Sequence, residues 1–333
     1  MSLTAPVRWG ILGTANIAAR AFLPALRQAG GLAVQVGSRT VERATSWASE
    51  HGVERGTDYS AVLAAADLDA IYIALPNDLH VEWASAAAAT GKAVLCEKPL
   101  ALRPEQLSAL LPPEPSHGPT WEAFVFPFHP QTARLQALIG DGELGTVGQL
   151  ESEFHFQLTR PDNIRWSKQR GGGALLDVGC YPLRFARLIF GAEPVAAIGT
   201  GYWADSGVDA EVAALVDFPA QRRLVMSAGL RRPASTFCRI IGSEAELRLT
   251  NPFHPTGEDS LELWRNGKPV RRWAPAHGTA FEHAISHIHA VLRTGAAPLH
   301  TIASDARGQS AAVELVRRAV AVSVSDAGLP SAG

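Results

Sequence analysis

Gly10-Ile11-Leu12-Gly13-Thr14-Ala15-Asn16-Ile17-Ala18 joins a short apolar run, Val7–Leu12, to a stretch with helical spacing, Ile17–Ala29. Small residues cluster at the join. Measured against the spacing G-x-G-x-x-G/A, Gly13 supplies the tight turn, Ala15 stands at the second glycine, and Ala18 takes the helix–sheet packing position. Small side chains there let the backbone approach a pyrophosphate at a helix N-terminus. The methyl of Ala15 weakens the match, and a purely structural strand–turn–helix would satisfy the same spacing. Its place in the first strand–helix unit of the chain is the context that the phosphate reading requires.

Outward from that join the pattern repeats. Ala33–Ser38, Ala70–Leu75, Ala93–Glu97 and Trp121–Phe126 read as buried strands. Val41–His51, Ser60–Ala66, His80–Thr90 and Pro104–Leu111 read as the helices between them. Strands separated by helices imply right-handed crossovers and a parallel, doubly wound sheet of Rossmann type. The proline-rich stretch Pro112-Pro113-Glu114-Pro115-Ser116-His117-Gly118-Pro119 breaks the rhythm. A boundary there gives a dinucleotide-binding domain over residues 1–120 and a substrate-binding and oligomerisation domain over 121–333. In the second part Gln149–Gln157, Val195–Tyr202, Ala210–Phe218, Arg223–Leu230, Cys238–Ile241, Glu246–Leu249 and Ser260–Arg265 are strand-like. Turn signals such as Asn266-Gly267 separate them, which favours an open, mainly antiparallel sheet. Ala174–Phe190 reads as a helix, and Thr279–Arg293 and Ile302–Ser323 close the chain, the last helix expected to pack back on the first domain. The fold class is α/β.

Composition narrows the function. The 333 residues exceed the usual single-core limit, and 47% hydrophobic with 19% charged residues excludes wholesale disorder. Thirty basic residues against 32 acidic ones give a net charge of −2, so no basic field steers the chain to nucleic acid or an anionic membrane. No apolar run is long enough for a membrane helix, and the N-terminus lacks the pattern of a signal peptide. Cys96, Cys180 and Cys238 are odd in number and widely spaced, which suits a reducing cytoplasm rather than a disulfide framework.

Several residues stand where chemistry would need them. The second strand ends in Gly37-Ser38-Arg39-Thr40, where an NAD enzyme usually carries Asp or Glu. Ser38 and Arg39 suit a ribose 2′-phosphate instead, which makes NADP the expected cofactor and NAD the alternative. The bland reading is that Arg39 merely ends the strand at the surface. Leu75-Pro76-Asn77-Asp78-Leu79-His80 and Glu97-Lys98-Pro99 follow the third and fourth of these strands, at the carboxyl ends where such sheets bind ligands. The candidate cofactor contacts are therefore Gly13, Thr14, Ala15, Asn16, Ile17, Ser38, Arg39, Leu75, Pro76, Asn77, His80, Glu97 and Lys98. Asn77 could equally do no more than cap a helix. Lys98 is one of only four lysines, which marks it among surface cations. Gly171-Gly172-Gly173 leads into Asp177 and Tyr181, four residues apart on one expected helix face. A phenol beside a carboxylate and near a lysine is an acid–base constellation; a helix-start Asp and a half-buried Tyr are its structural equivalent. His283-x-x-x-His287-x-His289 looks like a metal site but lacks a third ligand and the H-E-x-x-H pattern, so no metal is expected.

Taken together, the G-I-L-G-T-A-N-I-A, A-L-P-N-D-L-H, C-E-K-P-L and G-G-G-A-L-L-D-V-G-C-Y-P-L segments resemble the glucose–fructose oxidoreductase / inositol dehydrogenase (Gfo/Idh/MocA) family. The resemblance runs through essentially the whole chain. It implies hydride transfer between a nicotinamide and a sugar, sugar-nucleotide or cyclic polyol carbon. It implies catalytic roles for Lys98 and Tyr181 and a substrate contact at Asp177. Tyrosine at 181, and Trp121-Glu122-Ala123-Phe124 through His129-Pro130-Gln131, look more like the branch with dihydrodiol dehydrogenase, xylose dehydrogenase and deoxysugar 3-ketoreductases. Pro127 stands where an arginine is common in relatives, and Arg165-Trp166 either supply the substrate contact instead or simply cover the sheet. The partners implied are a small sugar or polyol and a second copy of the chain, as a dimer or tetramer through the C-terminal sheet. Two alternatives remain on the same fold: a non-catalytic dinucleotide-binding regulator, and an NAD-assisted glycosidase.

Overall fold

The structure, a computed structural model, describes residues 5–111, 114–256, 260–274 and 276–326, with side chains through residue 321. It divides into two units: Met1–His129 with Gly278–Arg307, and Pro130–His277 with Gly308–Gly333. Among the described residues no helix is long and apolar enough to cross a membrane.

In the first unit β1 (Arg8–Leu12), β2 (Leu32–Gly37), β3 (Arg55–Thr57), β4 (Ala70–Ile73), β5 (Ala93–Cys96) and β6 (Thr120–Glu122) form one sheet in the order β3-β2-β1-β4-β5-β6. Every pairing is parallel. The order reverses between β1 and β4, which puts the ligand crevice at their carboxyl ends. Alternate residues feed two cores. Trp9, Ile11, Val36, Tyr72 and Leu95 pack on one face with Phe22 and Leu26, whose helix is a π turn, Ala18–Phe22, followed by α1 (Leu23–Gln28), and with α2 (Val41–His51). Leu12, Val34, Ile71, Ile73 and Val94 pack on the other with Val62 of α3 (Tyr59–Ala64) and Ala84 and Ala87 of α4 (His80–Ala88). Thr40 and Asp58 accept the backbone N–H of Arg43 and Ala61, which fixes where α2 and α3 begin.

Two expected elements come out differently. The strand expected over Trp121–Phe126 stops at Glu122, because β5, its partner among the described residues, pairs it through Cys96 and then ends; Phe126–Phe128 is a 3-10 turn around Pro127. The helix expected over Pro104–Leu111 is a 3-10 segment, Pro104–Ala109. Of the proline-rich break, Pro112 and Pro113 lie outside the described residues.

The second unit opens with α5 (Pro130–Gly140) and β7 (Val147–Gln157). A π turn, Leu175–Gly179, then runs into α6 (Cys180–Phe190). The remaining strands are β8 (Ala196–Trp203), β9 (Asp209–Phe218), β10 (Arg222–Gly229), β11 (Arg231–Gly242), β12 (Glu246–Leu249), β13 (Leu261–Arg265) and β14 (Lys268–Trp273). They form an eight-stranded sheet, β14-β13-β12-β11-β7-β10-β9-β8, antiparallel except where β10 runs parallel to β7. Asn266 (φ 50°) and Gly267 (φ 73°) form the β13–β14 hairpin turn, the left-handed pair that such turns demand. Leu150, Val212, Leu224, Met226 and Cys238 are buried on one face, while Ile198 and Tyr202 of β8 stay exposed on the other.

The C-terminal helices differ in allegiance. α7 (Ala280–Thr294) buries Ala280, Phe281, Ala284, Ile285 and Ile288 in the core of the first unit. α8 (Ile302–Asp326) starts there through Ile302 and Ala306 and continues into the second unit, where Gln309 Nε2 donates to Cys180 O at 2.9 Å.

Candidate active site

The join that opened the sequence is a cradle. Gly13 has φ 102°, and a Cβ built there would lie 2.4 Å from Ala74 O, so only glycine fits. Its N–H donates to Gly37 O at 2.9 Å. Ala15 O accepts from the N–H groups of Ala18 and Ala19, so the helix starts here and the N–H groups of Ala15, Asn16 and Ile17 precede its first bonds. Asn16 and Ile17 are exposed and Thr14 and Ala15 half-buried, which leaves this N-terminus accessible. At the end of β2, Ser38 is buried and Arg39 exposed. Sequence reasoning missed Arg43, whose Nε donates to Thr14 Oγ1 at 2.8 Å. Arg39 and Arg43 both act on the Tyr59 phenol: burial raises its pKa, and the two guanidinium charges pull it down. The signal was the i, i+4 spacing of two arginines across the Thr40 cap.

The other loops of the sheet are knitted together by His80. It is fully buried, with Nε2 2.9 Å from Leu75 O and Nδ1 2.8 Å from Pro99 O. Burial depresses its pKa, the two carbonyls raise it, and the Lys98 charge lowers it further. His80 thus sits between the turn after β4 and the turn after β5, and its neutral ring donates to one of the two carbonyls. Pro76 and Asn77 are half-buried in the turn that leads to α4, whose N-cap position is Leu79 without a side-chain cap. Glu97 Oε1 accepts the Tyr72 hydroxyl at 2.6 Å, and Lys98, half-buried, precedes a cis Pro99.

In the second unit the glycine run has a visible cause. A Cβ at Gly172 would lie 2.3 Å from Arg165 O, and one at Gly173 (φ 114°) would lie 2.2 Å from Asp209 Oδ1. Asp209, on β9, accepts the Leu175 N–H at 2.6 Å, and burial pushes its pKa up to about 6 against the pull of those backbone donors. The turn so anchored carries Asp177, whose Oδ2 accepts from Arg165 Nε at 2.5 Å. Trp166 is half-buried, and Arg231 lies over its ring at 5.8 Å. Tyr181, 5% exposed, packs against Phe154 and Phe253 with ring centroids 5.4 and 5.3 Å away. Its hydroxyl lies 3.2 Å from His254 Nε2, a residue no motif singled out.

The histidines of α7 have separate partners. His289 Nε2 accepts from Trp9 Nε1 at 2.9 Å, His287 Nε2 accepts the Leu299 N–H at 3.0 Å, and the His283 ring meets that of His129. A concavity of about 400 Å³ opens on the outer face of the larger sheet, lined by Glu153, His155, Tyr202, Glu211, Ser227 and Arg232. It lies on the face away from Phe154 and Tyr181, since β7 residues alternate between faces.

A glycine cradle at a helix N-terminus, at the switch point of a parallel sheet, defines a dinucleotide-binding enzyme fold. Residues 7–120 match the oxidoreductase family with the NAD-binding Rossmann fold, and residues 132–248 match the GFO/IDH/MocA C-terminal domain. The chain is 34% identical to the D-xylose 1-dehydrogenase (NADP(+)) 2 of Haloferax volcanii, over 79% of this chain and 82% of that one. It is 33% identical to the dTDP-3,4-didehydro-2,6-dideoxy-alpha-D-glucose 3-reductase of Streptomyces violaceoruber, over 87% and 86%. Its structure is similar to that of a 3-ketoreductase from Actinomadura kijaniata in complex with NADP and TDP-benzene, with a TM-score of 0.85 and 29% identity over 95% and 98% of the two chains. The chain belongs to the GFO/IDH/MocA oxidoreductase family. It is an NAD(P)-dependent dehydrogenase or reductase, and the cradle at Gly13 fits the dinucleotide that the family binds.

Proposed function

We propose that this oxidoreductase prefers NADP and interconverts a carbonyl and a secondary hydroxyl on a sugar, sugar nucleotide or cyclic polyol. The preference rests on Arg43, whose guanidinium bonds Thr14, and on Arg39, whose charge acts with it on Tyr59; between them a 2′-phosphate would be held, where a carboxylate would repel it. Gly13, Thr14, Ala15, Asn16 and Ile17 would cradle the pyrophosphate. Ser38 would join the arginines, and the segments Leu75–Asn77 and Glu97–Lys98 would line the nicotinamide side, with His80 between them. The nicotinamide, when bound, supplies or accepts a hydride. Tyr181 gives the substrate oxygen its proton in reduction and takes it back in oxidation. Lys98 holds the charge that develops on that oxygen. Asp177, oriented by Arg165, accepts a substrate hydroxyl, and Trp166 bounds the sugar face. In this division of labour residues 1–120 serve the cofactor and 121–333 the substrate.

The observation that carries the reading is Tyr181 on an anchored, glycine-led helix in a chain that also keeps Lys98 at the end of β5. A regulator would have no use for that phenol. The exposed outer face of the eight-stranded sheet, with Ile198 68% and Tyr202 61% exposed, suits a second copy of the chain, and three buried thiols suit the cytoplasm. NADPH oxidation across a panel of keto-sugars tests the function. Turnover of at least one is expected. Binding of NADPH without turnover would support the regulator, and hydrolysis of nitrophenyl glycosides with bound NAD would support the glycosidase.

A further inference from the structure

If Tyr181 moves one proton per turnover, its phenol must be reset each time. Tyr181 as a residue is 5% exposed, and its ring packs against those of Phe154 and Phe253. A polar side chain, His254, lies against the hydroxyl. His254 Nε2 lies 3.2 Å from the phenol oxygen, and its ring centroid lies 5.2 Å from that of Tyr181. His254 itself is half-buried, less enclosed than Tyr181.

The loop after β12 holds this imidazole in place. Asn251 Nδ2 donates to His254 O at 2.6 Å, and Asn251 Oδ1 accepts the His254 N–H at 3.3 Å. Phe253, next in the chain, is fully buried and stacks on Phe154 at 5.6 Å. Such anchoring exceeds what a surface histidine needs. Set against the imidazole are the Tyr181 phenol from α6 and the Phe154 ring from β7, and of these two the phenol is the group that can exchange a proton.

We propose that His254 is a positioning residue that relays the proton between Tyr181 and solvent; this rests on the catalytic reading of Tyr181 given above. In the reducing direction the Tyr181 O–H bond breaks as the proton passes to the substrate oxygen. The phenolate then takes the Nε2 proton of the His254 imidazolium, and the neutral imidazole regains a proton from the buffer acid or water. In the oxidising direction each transfer reverses. Histidine suits the task because its charge changes near neutral pH and either nitrogen can donate or accept.

His254→Gln keeps a hydrogen-bonding side chain beside the phenol but cannot carry a proton. It should lower kcat about 10- to 100-fold and leave NADPH affinity, read by fluorescence titration, within about twofold of the parent. Added imidazole should restore turnover to His254→Ala in a concentration-dependent way. A readout without turnover comes from the cofactor-free protein. The His254 imidazole resonance should titrate differently in the parent and in Tyr181→Phe, because two coupled groups share their protons. A His254→Gln variant with the parent's kcat overturns the proposal, as does an imidazole titration unchanged by Tyr181→Phe. Should the parent oxidise NADPH with no keto-sugar, the catalytic reading fails on that result, while the cofactor-free titration still decides whether phenol and imidazole are coupled.

Discussion

Arg43 bonds Thr14 in the phosphate cradle, and the Arg39 charge acts with it on Tyr59, which gives Arg39 a measurable consequence under the NADP reading. Arg39→Asp should weaken NADP binding by roughly 1.5–3 kcal/mol and leave NAD binding much less affected, because it replaces a charge-assisted contact with repulsion. Isothermal titration with both cofactors checks this; equal losses would remove Arg39 from the 2′-phosphate site. Gly173→Ala should destabilise the second unit by about 1–3 kcal/mol, since the methyl meets Asp209 Oδ1 at 2.2 Å and the backbone holds φ 114°. Thermal unfolding reads that loss. At this scale the sequence was legible where a residue type has one physical excuse: Gly13 and the Gly171–Gly173 run announce close backbone approach. Arg43 and His254 were hidden. The contact of Arg43 with Thr14 spans 29 residues, and that of His254 with Tyr181 spans 73, so neither partner shows locally, and only the i, i+4 spacing from Arg39 pointed to Arg43.

Elements were legible where apolar periodicity carries them and lost where it does not. The start of β9 was placed to one residue, α2 was placed at Val41–His51, and both bury regular faces. β3 is Arg-Gly-Thr, with no apolar residue to reveal it, and β14 is an exposed edge of Lys268, Pro269, Val270 and arginines. β11 runs over Arg231–Gly242, far beyond the Cys238–Ile241 core, because its exposed polar half is held by register with β7 rather than by burial. The docking of α7 gives a prediction of its own. His289 must stay neutral to accept the Trp9 indole N–H, and burial holds its pKa at about 4, against an ordinary 6.5. Its folded pKa is depressed, so the unfolded chain binds the proton first. The first unit should therefore lose roughly 3 kcal/mol as pH falls from 6.5 to about 4. His289→Gln should flatten that limb, as measured by denaturant midpoints across pH.

At the scale of the molecule the two units respond oppositely to acid. Asp209 has its pKa raised from 3.8 to about 6, so its contribution is greatest at low pH and is lost as pH rises through that window. Acidification from about 6 to about 4 should stabilise the second unit by roughly 3 kcal/mol while it weakens the first. Hydrogen exchange should show amides of β1 and α7 opening more readily at pH 5 than at pH 7, and those near Leu175 opening less. The same change in both units would contradict the assignment of these shifts. The succession of a parallel sheet and an open sheet was legible from the change of rhythm after residue 145. The return of α7 to the first core was not, because an amphipathic helix does not name the surface it covers. The central claim is that Tyr181 is the acid–base group of a nicotinamide-dependent reaction on a sugar carbon. The most direct test is kcat for NADPH-dependent reduction of the best keto-sugar by Tyr181→Phe, measured beside NADPH affinity. The account predicts a loss of about 10²- to 10⁴-fold in kcat with NADPH affinity nearly unchanged. Parental turnover in the phenylalanine variant would contradict it.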